Sequence, residues 1–277
     1  MEKLRLNFTN SEPMQRHMRF LLSHGSMYLI YNGNLLYHGC VPMNPDGSFF
    51  MYRETDREYG VRENMDRFDQ LVRQGYLAGD PEQRQLGLDA MWYLWSGPQS
   101  PLFGKSKMAT FERYFIVDPQ THQEAKNAYY DYRDQEETAD RILREYGLDP
   151  KTAHIINGHV PVRVKKGESP LKAGGKLMVI DGGFSKAYQP QTGIAGYTLV
   201  YNSWGFILVS HTAFESAQKA IEEETDSHPQ SQVFEKTGVR IRVKDTDQGK
   251  RLQQHIDGLK ALLQAYRSGW IKEQIEG

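Results

Sequence analysis

Short runs of apolar residues separated by turn residues define the first part of the chain. Residues 27–31 and 34–38 are two such runs, and Asn32 and Gly33 join them. Asn-Gly between apolar runs is typical of a type I′ turn, because both central residues of that turn need positive φ angles. The pattern therefore predicts a β-hairpin whose second strand ends at His38.

The rest of the chain alternates between helical and strand patterns. Apolar residues spaced three and four apart predict helices over residues 11–24, 68–76, 80–95 and 245–266. Short apolar runs predict strands over residues 154–157, 176–180, 197–201, 206–210 and 239–243. Strands interleaved with helices are typical of an α/β fold built on a mixed sheet.

Two histidines stand just after predicted strands. His38 ends the hairpin, and His159 follows the strand at 154–157. A polar side chain at a strand end, next to glycine, can reach a bound ion, and Asp181 ends a third strand in the same way. A metal site on one rim of the sheet is one interpretation. Hydrogen-bonded histidines of the core or rim are the other, and the residues alone leave both open.

Composition and charge bear on whether the protein binds nucleic acid, enters a membrane or is exported. The chain has 277 residues, 34 basic and 35 acidic side chains and a net charge of -1, which gives no overall field that would favour nucleic acid. No apolar run reaches the ~20 residues of a membrane-spanning helix, so we expect no membrane partner. The first residues carry no apolar core of a signal peptide, and we expect a cytoplasmic protein.

Two further predictions come from the single cysteine and from a long charged segment. Cys40 excludes an internal disulfide and suits a reducing compartment; we expect a buried structural thiol here rather than a nucleophile. Residues 118–147 are rich in charge and predict a solvated segment. They belong to a longer stretch, residues 44–150, that we expect to be a largely helical insertion.

Several motifs resemble those of one enzyme family. The stretches 28–42, 157–161 and 180–184 look like the second half of a calcineurin-like metallophosphoesterase. The likeness to class III fructose-1,6-bisphosphatase, the long bacterial type, is closer, and it is carried by residues 91–95, 100–107, 166–170, 184–188 and 192–197. It runs along essentially the whole chain but covers only the C-terminal portion of what that family encodes.

The resemblance implies a fold and a set of site residues. It implies that residues 1–277 form the C-terminal part of a metallophosphoesterase domain, half of a four-layer α/β/β/α sandwich in which helices flank a mixed sheet. It places His38 and His159 as ligands of one divalent metal, Mn²⁺ or else Mg²⁺. It also implies hydrolysis of fructose 1,6-bisphosphate to fructose 6-phosphate and phosphate, a step of gluconeogenesis. The side chains expected to contact this sugar bisphosphate are those of Lys105, Lys107, Lys186 and Tyr188.

The family's first three metal motifs have no counterpart here. Gly79-Asp80 is not followed by a second Asp and an Arg-Gly, and the chain has no Asn-His pair, so no catalytic residue is assigned. We expect the chain alone to bind metal weakly and to hydrolyse little until it meets the missing N-terminal portion. We also expect an uncovered sheet that favours a homodimer. The alternatives are a non-catalytic interaction or regulatory module, and a related metallophosphatase acting on another phosphoester.

Overall fold

The computed structural model describes residues 2–183, 189–194, 196–211, 216–222 and 230–272. The chain divides into two compact units, residues 1–196 and residues 197–277. Lys186 and Tyr188, two of the predicted substrate contacts, lie outside the described residues. The helices are α1 (Glu2–Thr9), α2 (Glu12–His24), α3 (Val61–Leu77), α4 (Pro81–Ser96), α5 (Thr110–Phe115), α6 (Tyr129–Tyr132), α7 (Glu136–Glu145), α8 (Gln189–Thr192), α9 (Ala217–Glu222) and α10 (Asp247–Arg267).

A five-stranded mixed sheet forms the centre of the first unit. Its strands are β1 (Tyr28–Tyr31), β2 (Asn34–Tyr37), β5 (Ile155–Asn157), β6 (Leu171–Lys172) and β7 (Leu177–Val179), while β3 (Tyr52–Glu54) and β4 (Arg57–Tyr59) form a separate hairpin. The strand order is β1-β2-β5-β7-β6. Strands β2, β5 and β7 are parallel, and the two outer pairs are antiparallel. The predicted α/β class with a mixed sheet is confirmed.

The turn chemistry of the first hairpin is the one predicted from the sequence. Asn32 and Gly33 have φ angles of 49° and 77°, and Tyr31 pairs with Asn34. The central strands β5 and β7 are buried along their whole length, as expected for parallel strands covered on both faces. The hairpin thus fixes where β2 ends, and the parallel pairing fixes what lies beside that end.

Helices α3 and α4 form an antiparallel pair in which the backbones touch. The side chain of Asp80 caps α4 by accepting from the backbone N–H of Gln83 at 2.9 Å, and Pro81 follows at the first helical position. A Cβ atom placed on Gly87 would lie 2.5 Å from the carbonyl oxygen of Leu71 and closer still to the backbone of Gly75. Only glycine at these crossing points allows so close an approach.

The second unit contains a three-stranded sheet and a long helix. Its strands are β8 (Gly196–Asn202), β9 (Gly205–His211) and β10 (Gln230–Lys236), in the order β10-β9-β8. The strand predicted at residues 239–243 is wrong. Val239 and Val243 are 81% and 70% exposed, and a 3-10 turn begins at Val243. Within the described residues this segment joins none of the sheets, and the backbone N–H of Ile241 instead donates to the carbonyl oxygen of Ser203, in the turn between β8 and β9, at 2.8 Å.

The predicted C-terminal helix is present as α10. Its apolar stripe is exposed to solvent, with Leu259 at 65% exposure. Among the helices that the structure describes, none combines the length and the apolar character that crossing a bilayer would require.

Candidate functional site

His38 and His159 meet at one edge of the central sheet. His38 directly follows β2, and His159 stands two residues beyond the end of β5. Because β2 and β5 are parallel, their carboxyl ends lie at the same edge, and the backbone N–H of Gly158 donates to the carbonyl oxygen of His38 at 3.0 Å. Nε2 of His38 and Nδ1 of His159 are 3.0 Å apart, with ring centroids 4.8 Å apart. The role of both side chains as metal ligands stays a prediction.

The orientation of His159 is fixed by its backbone and by one hydrogen bond. Its φ angle is 67°, in the left-handed region that non-glycine residues rarely adopt. Nε2 lies 2.8 Å from the carbonyl oxygen of Phe103. A carbonyl only accepts, so Nε2 carries the proton and the lone pair of Nδ1 points at His38. A backbone carbonyl that orients a ring in this way is the usual partner of a metal-ligating histidine.

The spacing of the two nitrogens fits two neighbouring ligands of one metal ion. Two nitrogens bound about 2.1 Å from an ion and at right angles to each other stand about 3 Å apart. Two neutral imidazoles supply no negative charge, however, and a divalent ion needs further oxygen ligands. Among the described residues, no group of three or more His, Cys, Asp and Glu side chains could hold a metal ion. The pair therefore fits part of a metal site.

Asp181 brings negative charge close to both rings. It follows β7, and its Cβ lies 3.6 Å from where a Cβ on Gly158 would stand. Its Oδ1 accepts from the backbone N–H of Gly183 at 2.9 Å. Partial burial lowers the pKa of both His38 and His159, and the charge of Asp181 opposes that change. The lowered pKa favours the neutral imidazole, which is the form that can bind a metal.

A buried network of hydrogen bonds holds the backbone turn after His38. The hydroxyls of Tyr37 and Tyr129 are 2.8 Å apart, and Nδ2 of Asn157 donates to the Tyr129 hydroxyl at 2.9 Å. The same Nδ2 donates to the carbonyl oxygen of Gly39 at 3.1 Å. Burial strengthens the penalty for breaking such bonds. The network ties the residues after β2 to the end of β5, and so fixes the spacing of the two imidazoles.

The sequence did not identify Tyr129, because it lies in the charged segment 118–147 that was predicted to be solvated. That prediction is wrong for part of the segment, since Tyr129, Ile142 and Leu143 are 0% exposed. The signal that could have found Ile142 and Leu143 is the apolar spacing within α7, where they share a face with Ala139 between the charged residues.

The predicted buried thiol at Cys40 is confirmed. Cys40 is 0% exposed, and its Sγ lies 3.2 Å from where a Cβ on Gly104 would stand. Burial raises the pKa of the thiol to about 12, because the surrounding protein disfavours the thiolate. The neutral thiol is neither a nucleophile nor a metal ligand near neutral pH.

We expect Cys40 to resist a thiol reagent in the native protein. At pH 8 the native chain should react with dithionitrobenzoate at least about 100-fold more slowly than the chain in guanidinium chloride, since the thiolate is the reacting species and the pKa lies far above that pH. Absorbance of the released thionitrobenzoate measures both rates. Fast, complete labelling of the native chain would show that this thiol is accessible.

The two described lysines of the predicted substrate site differ in position. Nζ of Lys105 pairs with Oε2 of Glu124 at 2.8 Å, and the charge of Lys105 lowers the pKa of His159. Nζ of Lys107 instead donates to the carbonyl oxygen of Thr121 at 2.7 Å. Lys105 therefore lies near the histidine pair, while Lys107 is engaged with the loop after α5. Contact of either residue with substrate stays a prediction.

Comparison with known proteins gives one family. The family model described as Firmicute fructose-1,6-bisphosphatase matches residues 1–268. Curated class 3 fructose-1,6-bisphosphatases of Clostridium tetani and Alkaliphilus metalliredigens are each 56% identical to the chain over 275 and 277 residues, and that of Clostridium acetobutylicum is 55% identical over 276. These matches cover 99% of the chain but 42% of each relative. No solved structure matches the chain.

Proposed function

Because the chain belongs to the Firmicute fructose-1,6-bisphosphatase family, we propose that it forms part of a fructose-1,6-bisphosphatase and supplies two imidazole ligands to a divalent metal. The reaction is hydrolysis of fructose 1,6-bisphosphate to fructose 6-phosphate and phosphate. The observation that carries the proposal is the 3.0 Å approach of His38 Nε2 to His159 Nδ1 at the ends of parallel strands.

The residues of this chain hold and orient the ligands. The carbonyl of Phe103 accepts from Nε2 of His159 and leaves Nδ1 unprotonated, and the network of Tyr37, Tyr129 and Asn157 sets where His38 stands. When bound, the metal would neutralise charge on the phosphoryl oxygens and lower the pKa of a bound water. Mg²⁺ prefers oxygen ligands, so two imidazoles favour Mn²⁺.

The remaining ligands are proposed to come from the part of the protein that this chain does not span. The chain covers 42% of the length of its curated relatives. Beside His38 lies a cleft of about 380 Å³ lined by sheet residues that include the half-buried Leu36 and Ile180. On the edge strand, Leu29 is 51% exposed. A second layer of the α/β/β/α sandwich, from an N-terminal portion or a second copy of the chain, would cover these apolar side chains.

A non-catalytic interaction module is the second candidate. It is favoured by the lack of a group of three or more metal-ligating side chains within the described part of the chain. The family membership and the oriented histidine pair favour the enzyme. A cytoplasmic location accompanies this proposal, since the single thiol of Cys40 needs no oxidising compartment.

The decisive test is a chimaera with a relative. In the Clostridium tetani protein, the matching region is replaced by this chain, which is 56% identical to it over 275 residues. We expect the chimaera to release phosphate from fructose 1,6-bisphosphate in the presence of Mn²⁺, and the chain alone to release at least about 100-fold less, because a two-metal site needs its carboxylates.

The controls separate the two candidates. His38→Asn and His159→Asn in the chimaera should each remove most of the turnover, while the exposed His17→Asn should leave it unchanged. A well-folded chimaera that releases no phosphate would favour the interaction module. Turnover of other phosphoesters at similar rates would point to a related metallophosphatase.

A further inference from the structure

Arg133 is a buried cation with unused hydrogen-bond donors. The residue is 8% exposed, and Nε and Nη1 have no hydrogen-bond partner within the described residues. The carboxylate beside it, Asp134, has Oδ1 3.6 Å from Nε, too far for a hydrogen bond, and Asp134 also pairs with Lys172 at 3.0 Å. A buried guanidinium whose N–H donors have no acceptor destabilises the folded chain unless an anion binds there.

Lys126 lies beside the same aromatic ring as Arg133. Nζ of Lys126 is 5.5 Å and Cζ of Arg133 is 5.1 Å from the ring centroid of Tyr130. Lys126 is exposed, but partial desolvation lowers its pKa, and the charges of Arg163, Arg133 and Lys105 lower it further, with Glu168 opposing them. Lys126 therefore sits in a field of positive charge.

Neighbouring cations have their own carboxylates, and Lys126 does not. Lys105 pairs with Glu124 at 2.8 Å, and Nε of Arg163 donates to Oε1 of Glu168 at 2.7 Å. Among the described side chains, none forms an ion pair with Lys126. The backbones of Lys105 and Lys126 form an antiparallel β-bridge, which places the two side chains on one face. Like charges opposite each other are unfavourable without an anion between them or nearby.

The ring of Tyr130 connects this cluster to the histidine pair. Its hydroxyl lies 2.9 Å from where a Cβ on Gly104 would stand, so the ring abuts the backbone next to Phe103. The carbonyl of Phe103 accepts from Nε2 of His159. The charge of Lys105 contributes to the lowered pKa of both Lys126 and His159, so Lys105 lies near both of them.

We infer that Arg133 and Lys126 bind a phosphoryl group, one aromatic ring away from His159. The planar fork of arginine matches phosphate oxygens, and lysine adds a compact charge. A sugar with phosphates at both ends could then place one at the metal and the other here. The identity of that ligand rests on the proposed function, whereas the phosphoryl site itself does not.

Titration of the chain, freed of metal by EDTA, tests the site directly. Calorimetric titrations use inorganic phosphate, fructose 6-phosphate and unphosphorylated fructose. We expect phosphate and fructose 6-phosphate to bind, fructose not to bind, and Arg133→Gln or Lys126→Gln to weaken binding at least tenfold. Lys151→Gln removes the same charge from an exposed turn and should leave binding unchanged.

Two readouts separate this site from the metal site. His38→Asn should weaken Mn²⁺ binding and leave phosphate binding intact, while Lys126→Gln should do the reverse. In the chimaera, Lys126→Gln should raise KM for fructose 1,6-bisphosphate about tenfold or more, with little effect on the hydrolysis of p-nitrophenyl phosphate, which has a single phosphate.

Two results of the titrations would contradict the inference. If phosphate does not bind the wild-type chain, the proposed site does not exist. The same conclusion follows if phosphate binds the wild-type chain and both variants with equal affinity. Circular dichroism shows whether each variant is folded. If the buried Arg133→Gln unfolds the chain, the more exposed Lys126→Gln decides alone.

Discussion

His159→Asn lowers the affinity for Mn²⁺ of the chimaera that carries this chain by about 100-fold or more, since even the partners of metal ligands contribute 10- to 100-fold. Asparagine tolerates the left-handed backbone that His159 adopts at a φ angle of 67°, so the loop keeps its conformation. What is lost is the imidazole whose Nδ1 stands 3.0 Å from His38 Nε2. Electron paramagnetic resonance of free Mn²⁺ in the mixture measures the affinity.

The matched control for this change is His17→Asn on the exposed face of α2. It removes an imidazole without touching the pair, and it should leave the affinity for Mn²⁺ unaltered. His38→Asn should match the loss seen with His159→Asn, because both nitrogens face the same point. If both variants of the pair bind Mn²⁺ as the unchanged chimaera does, the two histidines are structural and the metal site lies elsewhere.

Gly87→Ala destabilises the chain by about 3 kcal/mol, near the upper end of overpacking effects. Alanine is favoured over glycine in a helix by about 1 kcal/mol, so the sign depends on space. The new methyl would lie 2.5 Å from the carbonyl oxygen of Leu71 and against the backbone of Gly75. Backbone atoms cannot relieve the clash by a rotamer change as a side chain can, so α3 and α4 must move apart.

Thermal unfolding measures the effect, with an expected drop of about 8 °C for a chain of this size. Gly79→Ala, in the connection between the same two helices, has nothing within 4 Å of its new methyl and no positive φ angle, and it should change the midpoint little. An unchanged midpoint for Gly87→Ala would mean that the two helices pack less closely than the structure shows.

Local sequence signals predicted the elements that carry the site. The Asn32-Gly33 turn fixed the hairpin, and the apolar runs around Ile155 and Met178 fixed two buried strands. These signals work because turn geometry and burial on both faces constrain residue type directly. The failed strand at 239–243 had the same alternation, but its backbone bonds to the turn between β8 and β9 through Ile241 and Ser203, which no local pattern reveals.

The sequence by itself determined that two histidines follow predicted strands, that the single Cys40 excludes an internal disulfide, and which family the chain belongs to. Only the tertiary structure decided that the two imidazoles face each other and that Tyr129 and Asn157 hold them in place. It also decided that Arg133 is buried near Lys126 and that two of its nitrogens have no partner among the described residues. The reason is physical. Strand ends and turns are set by neighbours along the chain, whereas contacts between residues 38 and 159, or 126 and 133, depend on how parallel strands and loops pack across long sequence separations.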